Sequence, residues 1–337
     1  MRGDSWEFDF RACAAYGLVM FRSVFRLVSR SNTTWAAALV ALVVACVGNS
    51  AKQPVGKSPA SGVISKWTTG EHTIVVGGLE RSFLLDVPSD LRPGAALVLV
   101  FHGYTGSAKG FRKHAGFSDL VERHGFVAVY PQGTVDSRGN AFFNVGYSFH
   151  EDSEVDDVAF ARQLTSQLIS DLQIDPDAVF ATGMSNGGDM SFFLASRAEP
   201  FIRSIAPVAG TMMVKGHESF VPKKRLSILA VHGTDDGITK WNGDMENNDG
   251  WGAYYGVKDV LDLWVQGFDL ENKEVQNLEG IPAGQNQIRL HRWDTAKDDT
   301  ELLFFEIQQG KHIWPDHLGR SQVTLAEEIW GFFDRHR

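Results

Sequence analysis

The amino-acid sequence predicts an α/β fold: a mostly parallel sheet with helices on both faces and an antiparallel N-terminal hairpin. Three observations point there. Short apolar runs alternate with stretches of helical periodicity, the layout of βα units on a parallel sheet. The runs Leu97-Val98-Leu99-Val100-Phe101 and Phe126-Val127-Ala128-Val129-Tyr130 are apolar without interruption, as strands covered on both faces must be. The run Val179-Phe180-Ala181-Thr182 climbs into Gly183-Met184-Ser185-Asn186-Gly187-Gly188, and an amphipathic segment follows at once, which reads as strand, tight turn and helix.

With 337 residues and 43% hydrophobic content, the chain can bury a sizeable core, and one large domain fits better than two. Net charge is −9; setting aside the five Arg and three acids of the leader leaves 27 basic against 38 acidic residues, about −11. No basic run is present, so nucleic acid is not an expected partner. Cys13 and Cys46 are the only cysteines and both lie in the leader, which leaves the body without a disulfide framework or thiolate metal site.

Residues 1–46 read as a leader with a lipoprotein signal peptide. Arg22, Arg26 and Arg30 precede the apolar run from Trp35 to Ala45, which is too short to span a membrane comfortably. Val43-Val44-Ala45-Cys46 resembles a bacterial lipobox and makes Cys46 the expected lipid attachment, with simple secretion and an uncleaved anchor as alternatives. Met20 is a candidate start. Residues 47–70, small, polar and aperiodic, read as a flexible tether, and residues 71–337 as the catalytic domain. The expected location is extracytoplasmic, either lipid-anchored to a bacterial membrane or secreted.

In order, Glu71 to Val76, the pair Gly77-Gly78, and Arg81 to Val87 form the hairpin. The strand ending at Phe101 runs into His102-Gly103-Tyr104-Thr105-Gly106, where glycines let backbone N–H groups face the space over the sheet. The N–H groups of Tyr104 and Asn186 are the candidate oxyanion donors, and His102 is read as a structural histidine beneath that loop. Phe117 to His124 is helical with Gly125 as its stop, and Phe126 to Pro131 is the next strand. The irregular stretch from Thr134 to Ser153 offers Phe142, Phe143, Tyr147 and Phe149 as pocket aromatics, with Phe143 and Tyr104 named for substrate binding.

Asp156-Asp157 opens a helix with Val158, Ala161, Leu164, Leu168 and Leu172 on one stripe, and both acids are read as helix-start residues. Beyond the nucleophile helix, strands at Ile202 to Val208 and Leu226 to His232 follow, the second ending in His232-Gly233-Thr234-Asp235-Asp236. Either aspartate could be the third triad member. Residues 239–286 are read as an excursion with one helix near Val257 to Phe268. Strands at Ile288 to Trp293 and Leu302 to Ile307 lead to Lys311-His312-Ile313-Trp314-Pro315, and a last helix ends the chain.

A serine hydroxyl needs a base to take its proton, histidine titrates near neutrality, and an aspartate on its other nitrogen fixes the tautomer. Ser185, one of the two aspartates and His312 occur in the right order on successive strand ends. No two histidines stand at ligand spacing beside a carboxylate, so neither metal nor cofactor is expected.

These pieces resemble the poly(3-hydroxybutyrate) depolymerase and feruloyl esterase group of α/β-hydrolases. The resemblance covers roughly residues 96–333, through His102-Gly103, Tyr130-Pro131-Gln132-Gly133, Asp156-Asp157-Val158, Gly183 to Gly188, His232 to Asp236 and His312 to Pro315. It implies an α/β-hydrolase fold and selects Asp236 over Asp235 as the catalytic acid. Lys311 stands where the family has glycine. Trp314, beside His312, is expected at the substrate. The expected function is an exported serine esterase acting on a small ester, an ester-substituted polysaccharide or a hydroxyalkanoate oligomer. An inactive surface-tethered binding protein and a serine peptidase are the alternatives.

Overall fold

The computed structural model describes residues 66–337, except 198–199, 218–219, 221, 223, 279–285 and 320–322. The leader, Cys46 and residues 47–65 of the tether lie outside the described residues. In chain order the strands are β1 (Gly70–Val76), β2 (Leu79–Asp86), β3 (Leu97–Phe101), β4 (Val127–Pro131), the short β5 (Thr134–Val135) and β6 (Ala141–Phe142), β7 (Val179–Met184), β8 (Ser204–Val208), β9 (Ser227–Gly233), β10 (Asn272–Asn277), β11 (Ile288–Asp294) and β12 (Glu301–Ile307). The helices are α1 (Ala108–Ala115), α2 (Ser118–His124), α3 (Asp157–Leu172), α4 (Asn186–Ala195), α5 (Val257–Gly267) and α6 (Leu325–Arg335).

Ten strands make one sheet, ordered β1-β2-β4-β3-β7-β8-β9-β12-β11-β10. From β4 to β12 the neighbours run parallel, while β1, β2, β10 and β11 are antiparallel. The continuous apolar runs occupy the parallel centre, where β3 and β4 are buried at every position. Alternate residues then feed two cores. Leu97, Leu99 and Phe101 pack with Leu164 and Leu168 of α3, Met190 of α4 and Trp264 of α5. Val98 and Val100 pack with Phe111 of α1, Leu120 of α2 and Ile329 and Phe333 of α6. Helices therefore cover both faces, as the apolar runs require. The mostly parallel sheet and the N-terminal hairpin are as expected from the sequence.

Besides the short β5 and β6, which lie in the stretch read as irregular, two elements escaped the sequence reading. Helix α1 carries few apolar residues, yet the Ser107 side chain caps it by accepting from Gly110 N at 3.1 Å, and Gly116 ends it in the left-handed conformation. Strand β10, Asn-Lys-Glu-Val-Gln-Asn, has one apolar residue because it is the sheet edge, where charge discourages further pairing. The acids of α3 also divide. Asp156 caps the helix, accepting from Ala159 N at 2.8 Å, but Asp157 is buried and pairs with Arg81 at 2.6 Å. Burial pushes the Asp157 carboxyl up and the Arg81 charge opposes that shift.

Candidate active site

Ser185 lies between β7 and α4 with φ 56° and ψ −124°, a backbone conformation that L-residues rarely adopt. Two bonds hold it there: Ser185 N donates to Val208 O at 2.9 Å, and Asp189 N donates to Ser185 O at 2.8 Å. The flanking glycines are needed because the turn brings backbone against backbone. A Cβ at Gly183 would lie 2.5 Å from Phe101 O, and one at Gly187 only 2.1 Å from the same oxygen. Among the described residues the hydroxyl has no hydrogen-bond partner; it lies at the C-terminal ends of the parallel strands, at the start of a helix whose first N–H groups lack intrahelical partners.

Asp236 and His312 arrive on loops after β9 and β12, which are adjacent strands. The loops are stitched together: Asp235 N donates to Gly310 O at 3.0 Å, Gln309 N donates to Thr234 Oγ1 at 2.8 Å, and a Cβ at Gly233 would meet Gly310 O at 2.2 Å. Asp236 turns inward and is buried. Its Oδ1 accepts from Ile238 N and Thr239 N at 2.8 and 2.9 Å, and its Oδ2 is 2.8 Å from Nδ1 of the partly open His312 ring. Asp235 turns outward and pairs with Lys311, so the lysine that departs from the family pattern has a partner across the two loops. With Oδ1 held by two backbone N–H groups and Oδ2 against the ring, Asp236 can hold the His312 Nδ1–H and leave Nε2 free as a base. No hydrogen bond joins Ser185 Oγ to His312 among the described residues; in unliganded enzymes such contacts often close only with substrate.

Tyr104 follows β3, and its N–H and that of Asn186 have no intramolecular acceptor among the described residues. Gly103 lies against the Ser185 turn, where an added Cβ would meet Met184 O and Ser185 Cβ at 3.4 Å, an ordinary contact. His102 sits fully buried beneath it. One ring nitrogen, Nδ1, is 2.7 Å from Gly103 O, and Nε2 accepts from Gly133 N at 3.0 Å. Burial lowers its pKa, so it is a neutral, fully engaged structural group.

A narrow cleft borders Ser185, lined by Tyr147, Asp189, Thr211, Met213, Ile238, Trp251 and Tyr254 among others, with a cavity volume of about 20 Å³. Tyr104 stands over it, its ring 5.6 Å from that of Trp251 and 6.4 Å from that of Tyr147. Two expectations need correction. Trp314 is buried in the core on the α1 face, edge-on to Phe111 at 5.2 Å, while its neighbour Ile313 is the exposed one. Phe143 is likewise buried, against Phe101 at 5.0 Å and His102 at 4.7 Å. Neither side chain is among those lining the cleft beside Ser185.

Several site residues were not foreseen. Asp189, at the floor of the cleft, accepts from Tyr147 OH at 2.7 Å and Thr211 N at 2.7 Å, and burial pushes its carboxyl up to about 7. Its signal was visible in principle, as an acid opening an otherwise apolar buried helix. Asp136 accepts from Tyr104 OH at 2.8 Å and pairs with His150 Nε2 at 3.0 Å. Burial opposes the Asp136 charge, but bonds from His150, Asn140, Tyr104 and Arg138 outweigh it and hold the carboxyl well below the usual range. Burial lowers the His150 pKa, consistent with a neutral ring that donates from Nε2.

Comparison with known proteins fits this geometry. Residues 117–245 match the Prolyl oligopeptidase family. The chain is 28% identical over 193 residues to "Putative esterase NocK" of Nocardia uniformis subsp. tsuyamanensis, covering 56% of this chain and 54% of that protein. It is 27% identical over 188 residues to Poly(3-hydroxyalkanoate) depolymerase C of Paucimonas lemoignei, covering 53% and 41%. The chain thus spans about half the length of these curated relatives, or less. Among solved structures, an acetyl xylan esterase from Aspergillus awamori superposes with a TM-score of 0.56 at 14% identity, over 79% of this chain and 99% of that one. The fold is that of the α/β-hydrolases, and the sequence kinship is with depolymerase and feruloyl esterase relatives.

Proposed function

We propose that this relative of the polyhydroxyalkanoate depolymerases and feruloyl esterases is an exported serine esterase working through Ser185, His312 and Asp236. The observations that support the reading are a serine on a strained turn after β7 and, on the loops after the adjacent strands β9 and β12, a histidine 2.8 Å from a buried aspartate. His312 Nε2 takes the Ser185 proton as Oγ attacks the ester carbonyl, and Asp236 steadies the imidazolium. The Tyr104 and Asn186 N–H groups receive the oxyanion. Collapse of the tetrahedral intermediate breaks the C–O bond to the alcohol, which leaves with the proton from His312. Water, activated by the same histidine, then releases the acid and restores Ser185.

The cleft bears on substrate. Its lining includes Ser185 but not His312. The alcohol must depart beside His312, so the cleft receives the acyl group. The cleft is narrow at Ser185 and open to solvent on its outer side. A short acyl group such as acetyl is the simplest occupant, and a larger one would have to extend through the open side of the cleft. Turnover of nitrophenyl acetate, acetylated xylan, methyl ferulate and hydroxybutyrate oligomers tests this. Acetyl esters are expected to be cleaved fastest, with activity abolished in Ser185→Ala; residual activity near wild type in that variant would sink the assignment.

The match to the Prolyl oligopeptidase family favours peptidase activity as a second reading, because it spans Ser185 and Asp236. Cleavage of aminoacyl nitroanilides faster than of acetyl esters would select it. An inactive binding protein would resist labelling by a fluorophosphonate. Export and lipidation at Cys46 rest on the leader pattern alone, and loss of palmitate incorporation in Cys46→Ala is the expected result.

A further inference from the structure

We infer that the four residues 141–144 act as a brace that sets the spacing of the two oxyanion donors, and that the buried Arg81–Asp157 pair anchors it. The inference rests on the oxyanion roles proposed above for Tyr104 and Asn186. On one side, Thr105 N donates to Ala141 O at 2.9 Å, which fixes the peptide following Tyr104. That bond holds a strained residue, since Thr105 has φ 66° without being glycine. On the other side, the Asn186 side chain grips Phe143 with two bonds. Its Oδ1 accepts from Phe143 N at 2.8 Å, and its Nδ2 donates to Phe143 O at 2.9 Å.

The segment is itself pinned at its end. Asn144 N donates to Asp157 Oδ2 at 2.6 Å, and Asp157 Oδ1 accepts from Arg81 Nη2 at 2.6 Å. Arg81 also reaches Gln132 O at 3.3 Å and lies 4.0 Å from the Phe160 ring centre. Asn144 Nδ2 adds bonds to Ser153 O and Val155 O at 3.2 and 3.0 Å. Apart from the link at the exposed Thr105, the bonds are buried or partly buried, so water competes little with them. A donor pair stabilises an oxyanion only if its geometry is ready before the charge forms, and a small displacement is enough to lose much of the effect. Asn186 therefore serves twice: its backbone N–H faces the oxyanion, and its amide group is the positioning element. Arg81 and Asp157 are positioning residues that never touch substrate.

The test compares kcat, KM and inhibition by an aliphatic trifluoromethyl ketone in the full chain. Ser185 Oγ adds to that ketone, its proton passes to His312, and the carbonyl oxygen becomes the bound oxyanion with no leaving group. Asn186→Ala keeps the backbone N–H but releases Phe143. It is expected to lower kcat by about 100-fold with KM nearly unchanged, and to weaken ketone binding by the same factor. Asp157→Asn should act in the same direction by about tenfold. Asn186→Asp, which keeps the volume but opposes Phe143 O, serves if Asn186→Ala does not fold. Folded variants with wild-type kcat, or with kcat lost and ketone binding intact, overturn the brace. Failure of the underlying reading looks different, because Ser185→Ala would then retain turnover.

Discussion

The turn at Ser185 and the aromatic wall over the cleft are built by opposite means. At the turn, residues 183–188 dictate their own geometry, because glycine is the only residue that lets Phe101 O approach as it does. At the wall, Tyr104, Tyr147 and Trp251 come from three separate loops, and the two tyrosines are held by side chains 32 and 42 positions further along the chain. Asp136 holds Tyr104, and Asp189 holds Tyr147. Local sterics leave a mark in a short motif. Tertiary hydrogen bonding leaves almost none, since the bonded residues carry no fixed spacing.

The sharpest way to press this contrast is on the chemistry side. Asp236→Asn should lower kcat by about 10³ to 10⁴, because the amide no longer holds His312 in the tautomer that frees Nε2. Asp235→Asn should stay near wild type, as it removes only an exposed pair with Lys311. Parallel kinetics on a nitrophenyl ester check both, and the reverse outcome would move the triad by one residue.

Next in size is Gly187→Ala. The added carbon would lie 2.1 Å from Phe101 O, where neither backbone can yield cheaply. A loss of about 3 kcal/mol or more in denaturant unfolding is expected, the scale of severe core strain. If the variant unfolds like wild type, the turn is not closed as described.

The wall offers a pH signature. The folded-state pKa of Asp189 is raised to about 7, whereas an unfolded Asp titrates near 4. A raised acid favours the folded state below the unfolded pKa, and that advantage is lost as pH rises through the folded pKa. Stability should therefore fall between about pH 4 and 7, by at most ~1.4 kcal/mol per pH unit from this group. Asp189→Asn should flatten that slope in thermal melts across the window. An unchanged slope would mean that the carboxyl titrates normally.

The smallest expected effect is on selectivity. Trp251→Ala opens the cleft and should shift the preference from acetyl toward butyryl nitrophenyl esters by about tenfold, the scale of one or two methylenes in an apolar pocket. Equal loss on both esters would place the acyl group elsewhere.

What was readable in the sequence follows the same division. The parallel strands announced themselves as unbroken apolar runs, and the order of Ser185, Asp236 and His312 on strand ends was visible in the motifs. Trp314 misled because adjacency to His312 in sequence does not decide which way a side chain faces; the chain turns it into the α1 core and exposes Ile313. Asp157 misled because a helix-start acid and a buried ion-pair partner look alike until Arg81, 76 positions earlier, is placed beside it. Asp136 and His150 were invisible for the same reason.

The most direct test of the central claim is mass spectrometry of the full chain quenched in acid during turnover of nitrophenyl acetate. The account predicts one added acetyl group on the peptide containing Ser185, accumulating further in Asp236→Asn if deacylation is slowed more than acylation. Turnover with the acetyl group on another residue, or undiminished turnover in Ser185→Ala, would contradict it.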